Sequence, residues 1–170
     1  WYSSTGQAPD PDNPDHHQYF ITNDATDVPS IESTGDWIQS KEGDDFFKEN
    51  YWYTPAGSGE SQVRFRFTVE EAGDYDVYAW WPNDENGTTA ATYTVNYAGG
   101  SQAVPVDQSV GSGGWYALGR YPFNVGHYSV SIDNNVPDGW VLADAVKVAH
   151  PNNPPEVVAA DFYARTRIGP

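Results

Sequence analysis

The sequence predicts an all-β fold, an antiparallel β-sandwich or barrel. Between residues 75 and 148, short runs of aromatic and β-branched residues alternate at even spacing with turns rich in Gly, Asn and Asp. No helical run separates them, and this pattern is typical of antiparallel sandwiches. The chain has seven Trp, twelve Tyr and seven Phe but no Met and very little Leu. Residues that favour strands are therefore abundant, whereas two strong helix formers are scarce.

The 170 residues are expected to form one domain with two tails. Residues 1–19 are rich in Pro and Asp, and a segment of that composition is extended or disordered on its own. The β-sandwich domain is predicted over residues 20–149, and a C-terminal extension over residues 150–170. The extension opens with a proline-rich break and then carries apolar residues of one parity that predict an extra strand: Val158, Ala160, Phe162, Ala164 and Ile168.

The first part of the domain is predicted to contain short strands. One strand begins near Tyr19, a second covers residues 36–40, and a third covers residues 51–54 and ends at Pro55. The charged segment 41–50 is predicted to be a loop with room for one helical turn.

The next two strands, at residues 63–69 and 75–80, show clean alternation. Alternate residues of a strand point to opposite faces, so one parity is predicted to lie in the core and the other outside. The outward set includes Tyr78 and Trp80. The predicted inward residues are Val63, Phe65, Phe67, Val69, Tyr75, Val77 and Ala79.

The last part of the domain is predicted to contain a hairpin, an edge strand and a closing strand. Residues 98–101 have the composition of a hairpin turn. Pro105 places its strand at a sheet edge, because proline cannot donate to a ladder. A single strand is predicted over residues 140–148, with one inward parity: Trp140, Leu142, Asp144, Val146 and Val148.

Four separated segments carry a family resemblance: AGDYDVYAWWP, YTVNYAGGSQAVPVDQ, GGWYALGRYPF and GWVLADAVKV. In this order they resemble the golvesin C-terminal-like domain, also described as the carbohydrate-binding-like domain of xanthan lyases. The resemblance covers roughly residues 20–149. It implies a jelly-roll-like β-sandwich that is non-catalytic and usually attached to secreted bacterial enzymes or surface proteins. No binding residues are carried over from the family.

Aromatic residues beside polar loops are the candidate sugar-binding residues. Trp81 and Trp140 border the loops at 82–88 and 134–139, where Asn86 and Asp138 could bind sugar hydroxyls. Aromatic faces stack on the C–H faces of sugar rings. The alternative is that these tryptophans belong to the core, which is the interpretation for Trp37 and Trp115.

Asp144 is in phase with apolar neighbours and is therefore predicted to point inward. A buried carboxylate must be paired or must accept several hydrogen bonds. We expect a structural role, in which the carboxylate holds a neighbouring loop, over the alternative of a metal or ligand contact.

Charge and missing motifs narrow the functional classes. The formal charge of −16 disfavours nucleic acid and anionic membranes as partners. The sequence contains no nucleophile-elbow, metalloprotease or phosphate-loop motif, so no enzyme and no cofactor are predicted. The acidic segment around His16 and His17 and the loop at 84–86 lack the geometry or spacing of a metal site, and no metal is predicted.

Two functions follow as hypotheses. The first is an extracellular, non-catalytic module that recognises a carbohydrate or a cell surface, with a polysaccharide or surface protein as partner. The alternative is a structural subunit of an extracellular assembly, a homo-oligomer or filament, in which the terminal tails make β contacts between subunits. Because the chain starts at Trp1 without Met, we expect either a processed protein or part of a longer one.

Overall fold

All regular secondary structure that the structure describes is β-strand. The structure is a computed structural model, and it describes residues 20–24, 31–111 and 113–150. The strands are β1 (Phe20–Asp24), β2 (Ile31–Thr34), β3 (Ile38–Ser40), β4 (Tyr51–Pro55), β5 (Gln62–Val69), β6 (Gly73–Trp80), β7 (Ala91–Tyr97), β8 (Gly100–Val106), β9 (Tyr116–Phe123), β10 (Gly126–Asp133), β11 (Trp140–Ala143) and β12 (Ala145–Ala149). Among these residues, no helix has the length and apolarity needed to cross a membrane.

The strands form three antiparallel sheets. The four-stranded sheet has the order β1-β12-β6-β9, the five-stranded sheet β2-β5-β10-β7-β8, and the three-stranded sheet β11-β4-β3. All of the strand pairs are antiparallel. The predicted all-β, jelly-roll-like sandwich is therefore confirmed.

The core lies between the inner faces of the four- and five-stranded sheets. Phe67 of β5 packs edge-to-face on Phe123 of β9, with ring centroids 5.6 Å apart. The predicted inward residues of β5 and β6 are all at most 5% exposed, which confirms the alternation. Buried and outward residues alternate along each strand because one face of the strand packs on the core and the other does not.

The β7–β8 hairpin and its edge strand agree with the sequence. Gly99, in the turn, has a φ of +100°, a conformation that glycine adopts without the penalty of a side chain. Pro105 lies on β8, which is the last strand of the five-stranded sheet. Proline has no N–H to donate, and on an edge strand this does not interrupt the pairing of β8 with β7.

The single strand predicted over residues 140–148 is wrong. The chain breaks at Asp144, and the two halves join different sheets: β11 pairs with β4, whereas β12 lies between β1 and β6. Both parities are buried here, since Val141, Leu142 and Val146 are all nearly inaccessible. A chain that crosses from one sheet to another is covered on both sides, so alternation cannot predict its faces.

Segment 41–50 forms a loop that contains a turn and no helical turn. Lys48 adopts a φ of +61° within it. The carboxylate of Asp144, 0% exposed, reaches this loop and accepts a hydrogen bond from the Phe47 N–H at 2.8 Å. The contact agrees with the expected structural role of this carboxylate.

His150 closes the described part of the chain against the core. Its ring packs edge-to-face on Tyr75 at a centroid distance of 4.9 Å. Burial lowers the pKa of His150 below its ordinary value of 6.5, and the nearby Glu71 and Asp74 partly oppose this shift. The neutral imidazole is therefore the form that the fold favours.

The predicted tails fall largely outside the described residues. This applies to the extended segment 1–19 with His16 and His17, and to the C-terminal extension beyond residue 150. The proposed assembly contacts, Val158, Ala160, Phe162, Ala164 and Ile168, also lie outside the described residues and stay a prediction.

Candidate functional site

Trp140 stands at the meeting point of two loops. At the start of β11, its N–H donates to the Asn86 carbonyl at 2.9 Å, and its own carbonyl accepts from the Thr88 N–H at 2.7 Å. The indole is half-buried and meets Tyr53 of β4 edge-to-face, with ring centroids 5.0 Å apart at 88°. The loop before β7 and the loop before β11 are thus joined through the backbone on either side of this ring.

Two glycines allow that close approach. Gly139, with a φ of +66°, lies so near the other loop that a Cβ there would be 2.8 Å from the Asn86 carbonyl oxygen. At Gly87 a Cβ would collide with the backbone of Gln108. A side chain at either position would push the loops apart and displace Trp140.

Asp138 fastens the same two loops by its side chain. One carboxylate oxygen accepts from the Thr88 hydroxyl and the Thr89 N–H, both at 2.9 Å, and the other accepts from the Thr89 hydroxyl at 2.7 Å. These hydrogen bonds lower the pKa of Asp138 below its ordinary value. Asp138 therefore mainly positions the loop, while keeping an exposed edge.

Asn86 is exposed and its backbone is hydrogen-bonded to that of Trp140. Its backbone is held, since its N–H donates to the Asp84 carboxylate at 2.8 Å and its carbonyl accepts from Trp140. The structure thus brings together Trp140, Asn86 and Asp138 of the predicted sugar-binding residues. They form one surface at the edge of the three-stranded sheet.

Trp81, the fourth predicted residue, does not belong to this surface, and its assignment is corrected. It is 1% exposed and stacks on Tyr93 at a centroid distance of 6.1 Å. A ring without an accessible face cannot stack on a sugar. The signal was present in the sequence, because Trp81 continues the inward parity of Tyr75, Val77 and Ala79 just beyond β6.

A further aromatic side chain on β4, not predicted from the sequence, adjoins Trp140 on one face of the three-stranded sheet. Tyr53 contacts Trp140, and Tyr51, two residues before it on β4, lies 6.2 Å from Tyr53 between ring centroids but is buried in the core. Ile38, paired with Tyr53 on β3, is 47% exposed. We define the Trp140 surface as Trp140, Tyr53, Ile38, Asn86 and Asp138. It offers apolar rings bordered by amide and carboxylate groups.

A second group of aromatic side chains, also missed, lies on the outer face of the four-stranded sheet. We define the outer aromatic cluster as Phe47, Tyr78, Trp80, Trp115 and Lys147. Trp80 meets Trp115 edge-to-face at 5.2 Å, and Phe47 lies 5.5 Å from Trp80 and 5.1 Å from Trp115. All of these rings are half-buried. The interpretation of Trp115 as a core residue is therefore wrong.

Lys147 crosses this cluster. Its ammonium lies 4.8 Å from the centroid of the Tyr78 ring and 4.9 Å from that of the Trp115 ring. Two hydrogen bonds position the neighbouring rings. Asp144 accepts from the Phe47 N–H, and the Trp80 indole N–H donates to the Asp45 carbonyl at 2.7 Å. Trp37, the other predicted core tryptophan, is half-buried against the core.

Within the described ranges, no group of three or more His, Cys, Asp or Glu side chains is arranged to hold a metal ion.

Asp144 is buried beside Tyr93, and burial together with the Asp144 charge raises the pKa of that phenol. The described residues thus present two groups of aromatic side chains that are not fully buried.

The sequence profile of the Golvesin C-terminal domain matches residues 21–150. The chain belongs to this family. A xanthan lyase of Bacillus sp. (strain GL1) is 36% identical over 143 residues, covering 81% of this chain and 15% of the lyase. The solved structure of a Paenibacillus xanthan lyase superimposes with a TM-score of 0.73 and 30% identity, over 76% of this chain and 13% of that protein.

Carbohydrate-binding modules share the fold. A family 35 module from Clostridium thermocellum superimposes with a TM-score of 0.57 over 76% of this chain and 98% of the module, at 15% identity. At that identity the likeness concerns the fold. The chain spans 15% of the length of the Bacillus lyase.

Proposed function

We propose that this chain is an extracellular, non-catalytic carbohydrate-binding module of a larger polysaccharide-acting protein. The observation that carries the proposal is the Trp140 surface, where half-buried rings lie beside exposed polar groups. Two facts support it: the family includes a segment of xanthan lyases, and modules that bind carbohydrates have the same fold. The extracellular location is part of the proposal, because the family resemblance implies attachment to secreted bacterial enzymes or surface proteins.

The Trp140 surface suits a sugar in chemistry and in rigidity. The rings of Trp140 and Tyr53 offer apolar area to the C–H face of a pyranose, while the Asn86 amide can both donate to and accept from hydroxyls. The hydrogen bonds of Asp138 and of the Trp140 backbone fix the loops before binding. A surface that is already ordered loses little conformational entropy when the ligand arrives.

Neither of the two carboxylates singled out in the sequence is placed as a catalytic acid. Asp144 is 0% exposed and accepts a backbone hydrogen bond, so a substrate cannot reach it. Asp138 is exposed but accepts three hydrogen bonds that lower its pKa. A carboxylate with a lowered pKa is a poor general acid at neutral pH.

Affinity gel electrophoresis on a panel of neutral and acidic polysaccharides tests the proposal. We expect retardation by at least one polymer and a loss of about tenfold to a hundredfold in Trp140→Ala, as removal of a buried aromatic contact implies. Asn86→Ala removes an exposed amide and should weaken binding severalfold without unfolding. Val125→Ala, in the exposed turn at the other end of β10, is the matched control and should bind normally.

Circular dichroism of each variant separates lost binding from lost folding. Migration unaffected by every polymer in the panel would contradict a carbohydrate-binding role. Normal binding by both the Trp140 and the Asn86 variants would place the binding site elsewhere on the molecule.

A further inference from the structure

We infer that the outer aromatic cluster is a second binding site, specific for sugars that carry a carboxylate. The inference rests on the proposed function, because it assumes that the ligand is a carbohydrate. It concerns different residues, on a different sheet. The cluster lies on the four-stranded sheet, whereas the Trp140 surface lies on the three-stranded sheet.

The position of the cluster follows from strand register. On β6, Tyr78 and Trp80 have the parity opposite to the core residues and point outward. Lys147 of β12 is the direct cross-strand partner of Tyr78, so its side chain emerges on the same face. Trp115 precedes β9, the edge strand on the other side of β6. The rings form a half-buried apolar surface outside the core, which is called the floor of the cluster below.

Lys147 gives that floor a positioned positive charge. Its ammonium is 4.8 Å and 4.9 Å from the centroids of the two flanking rings, and cation–π attraction restrains a side chain that is otherwise flexible. An ammonium carries three donors, so the charge can serve a bound carboxylate in addition to its protein contacts. An ordered cation beside aromatic rings can bind a uronate, with the ring faces under the sugar and the charge at its carboxylate.

Further cations lie around the same face. Arg120 of β9 is the cross-strand partner of Asp76, two residues from Tyr78, and the two side chains pair at 2.8 Å. The Lys48 ammonium lies 5.3 Å from the centroid of the Phe47 ring. The cluster and its rim thus hold Lys48, Arg120 and Lys147, out of the eight Lys and Arg of the chain.

The acidity of the rest of the molecule makes this distribution informative. With 24 Asp and Glu against 8 Lys and Arg, most of the surface repels a polyanion. Three carboxylates lie at the cluster and each has a partner: Asp144 is buried and accepts from the Phe47 N–H at 2.8 Å, Asp76 pairs with Arg120, and Asp45 accepts from the Asn83 N–H at 2.9 Å. Because Asp76 neutralises Arg120, the charge attraction of this face for an anionic saccharide comes from Lys48 and Lys147.

Affinity electrophoresis with polygalacturonate, alginate and xanthan tests the inference, each compared with its own carboxyl-reduced form. We expect at least one acidic polymer to retard the protein, with binding weakened about tenfold by carboxyl reduction, as loss of a charge-assisted contact implies. Lys147→Met should cause a similar loss while keeping the apolar stem, and Lys147→Arg should retain part of the binding. Added salt should weaken wild-type binding more than that of the Met variant.

Two controls separate this inference from the proposed function. Lys41→Met removes the same charge outside the cluster and should bind like the wild type. Trp140→Ala should lose binding at its own surface while retaining the sensitivity to carboxyl reduction. Two results would overturn the second site and leave the first intact. One is binding that is insensitive both to carboxyl reduction and to Lys147→Met, and the other is binding confined to neutral polymers. Failure to bind any polymer overturns both.

Discussion

Gln108 links the core to the Trp140 surface, and its replacement by Met is the most informative stability test. The side chain is 0% exposed. Its amide nitrogen donates to the Leu142 carbonyl at 2.8 Å, and its amide oxygen accepts from the Leu142 N–H at 2.9 Å. Because β11 is an edge strand of the three-stranded sheet, these two bonds take the place of a neighbouring strand.

The size of the effect follows from the groups that the substitution leaves unpaired. Met has a similar volume, so little cavity is created. The buried N–H and C=O of Leu142 would each lose their partner, at about 1–3 kcal/mol per group, or about 2–6 kcal/mol together. The weaker contact of 3.4 Å to the Tyr93 hydroxyl adds to this loss. The total is a large fraction of the about 5–15 kcal/mol that stabilises a typical domain.

Urea unfolding followed by tryptophan fluorescence measures this loss as a lower midpoint at an unchanged slope. Gln102→Met, on the exposed edge strand β8, is the matched control and should change the stability by less than about 0.5 kcal/mol. A loss below about 1 kcal/mol in the Gln108 variant would refute the argument, because the edge of β11 would then not depend on the side chain.

Two further predictions concern a glycine and a histidine. Gly139→Ala should lower the stability by about 1–3 kcal/mol, because alanine is strained at positive φ and its Cβ would meet the Asn86 carbonyl; an unchanged urea midpoint would contradict this. His150→Gln should make the melting temperature less sensitive to acid. The folded-state pKa of His150 lies below its ordinary value of 6.5, so its contribution is complete above that value and is lost as the pH falls toward the folded-state pKa. Melting curves at pH 7.5 and pH 5.5 compare the variant with the wild type, and equal acid sensitivity would exclude this role.

The success of the sequence predictions depended on whether a strand has one covered face. On β5 and β6 the inner face meets the core, so alternation correctly predicted Phe65 and Val77 as buried. The same reasoning failed between Trp140 and Val148, where the chain changes sheets and is covered on both sides. Trp81 borders a loop and also continues the inward parity of β6, and its burial follows the parity.

The candidate sites were predictable only in part. Trp140, Asn86 and Asp138 were identified from aromatic and polar residues at loop boundaries, and the structure brings them together. Tyr53 was missed, because nothing local shows that β4 lies beside β11. The residues of the outer aromatic cluster come from four separate segments, and local pattern does not indicate which of them meet.

By itself, the sequence determined the class of fold, the inward parity of the central strands, the hairpin at Gly99 and the family. These depend on local properties: side-chain alternation, turn chemistry and motifs in order. Only the tertiary structure decided the break at Asp144, the burial of Trp81 and the placement of Lys147 between two rings. Such features depend on which strands pair and in what register, and pairing between distant segments is set by the packing of the whole chain rather than by any short stretch of it.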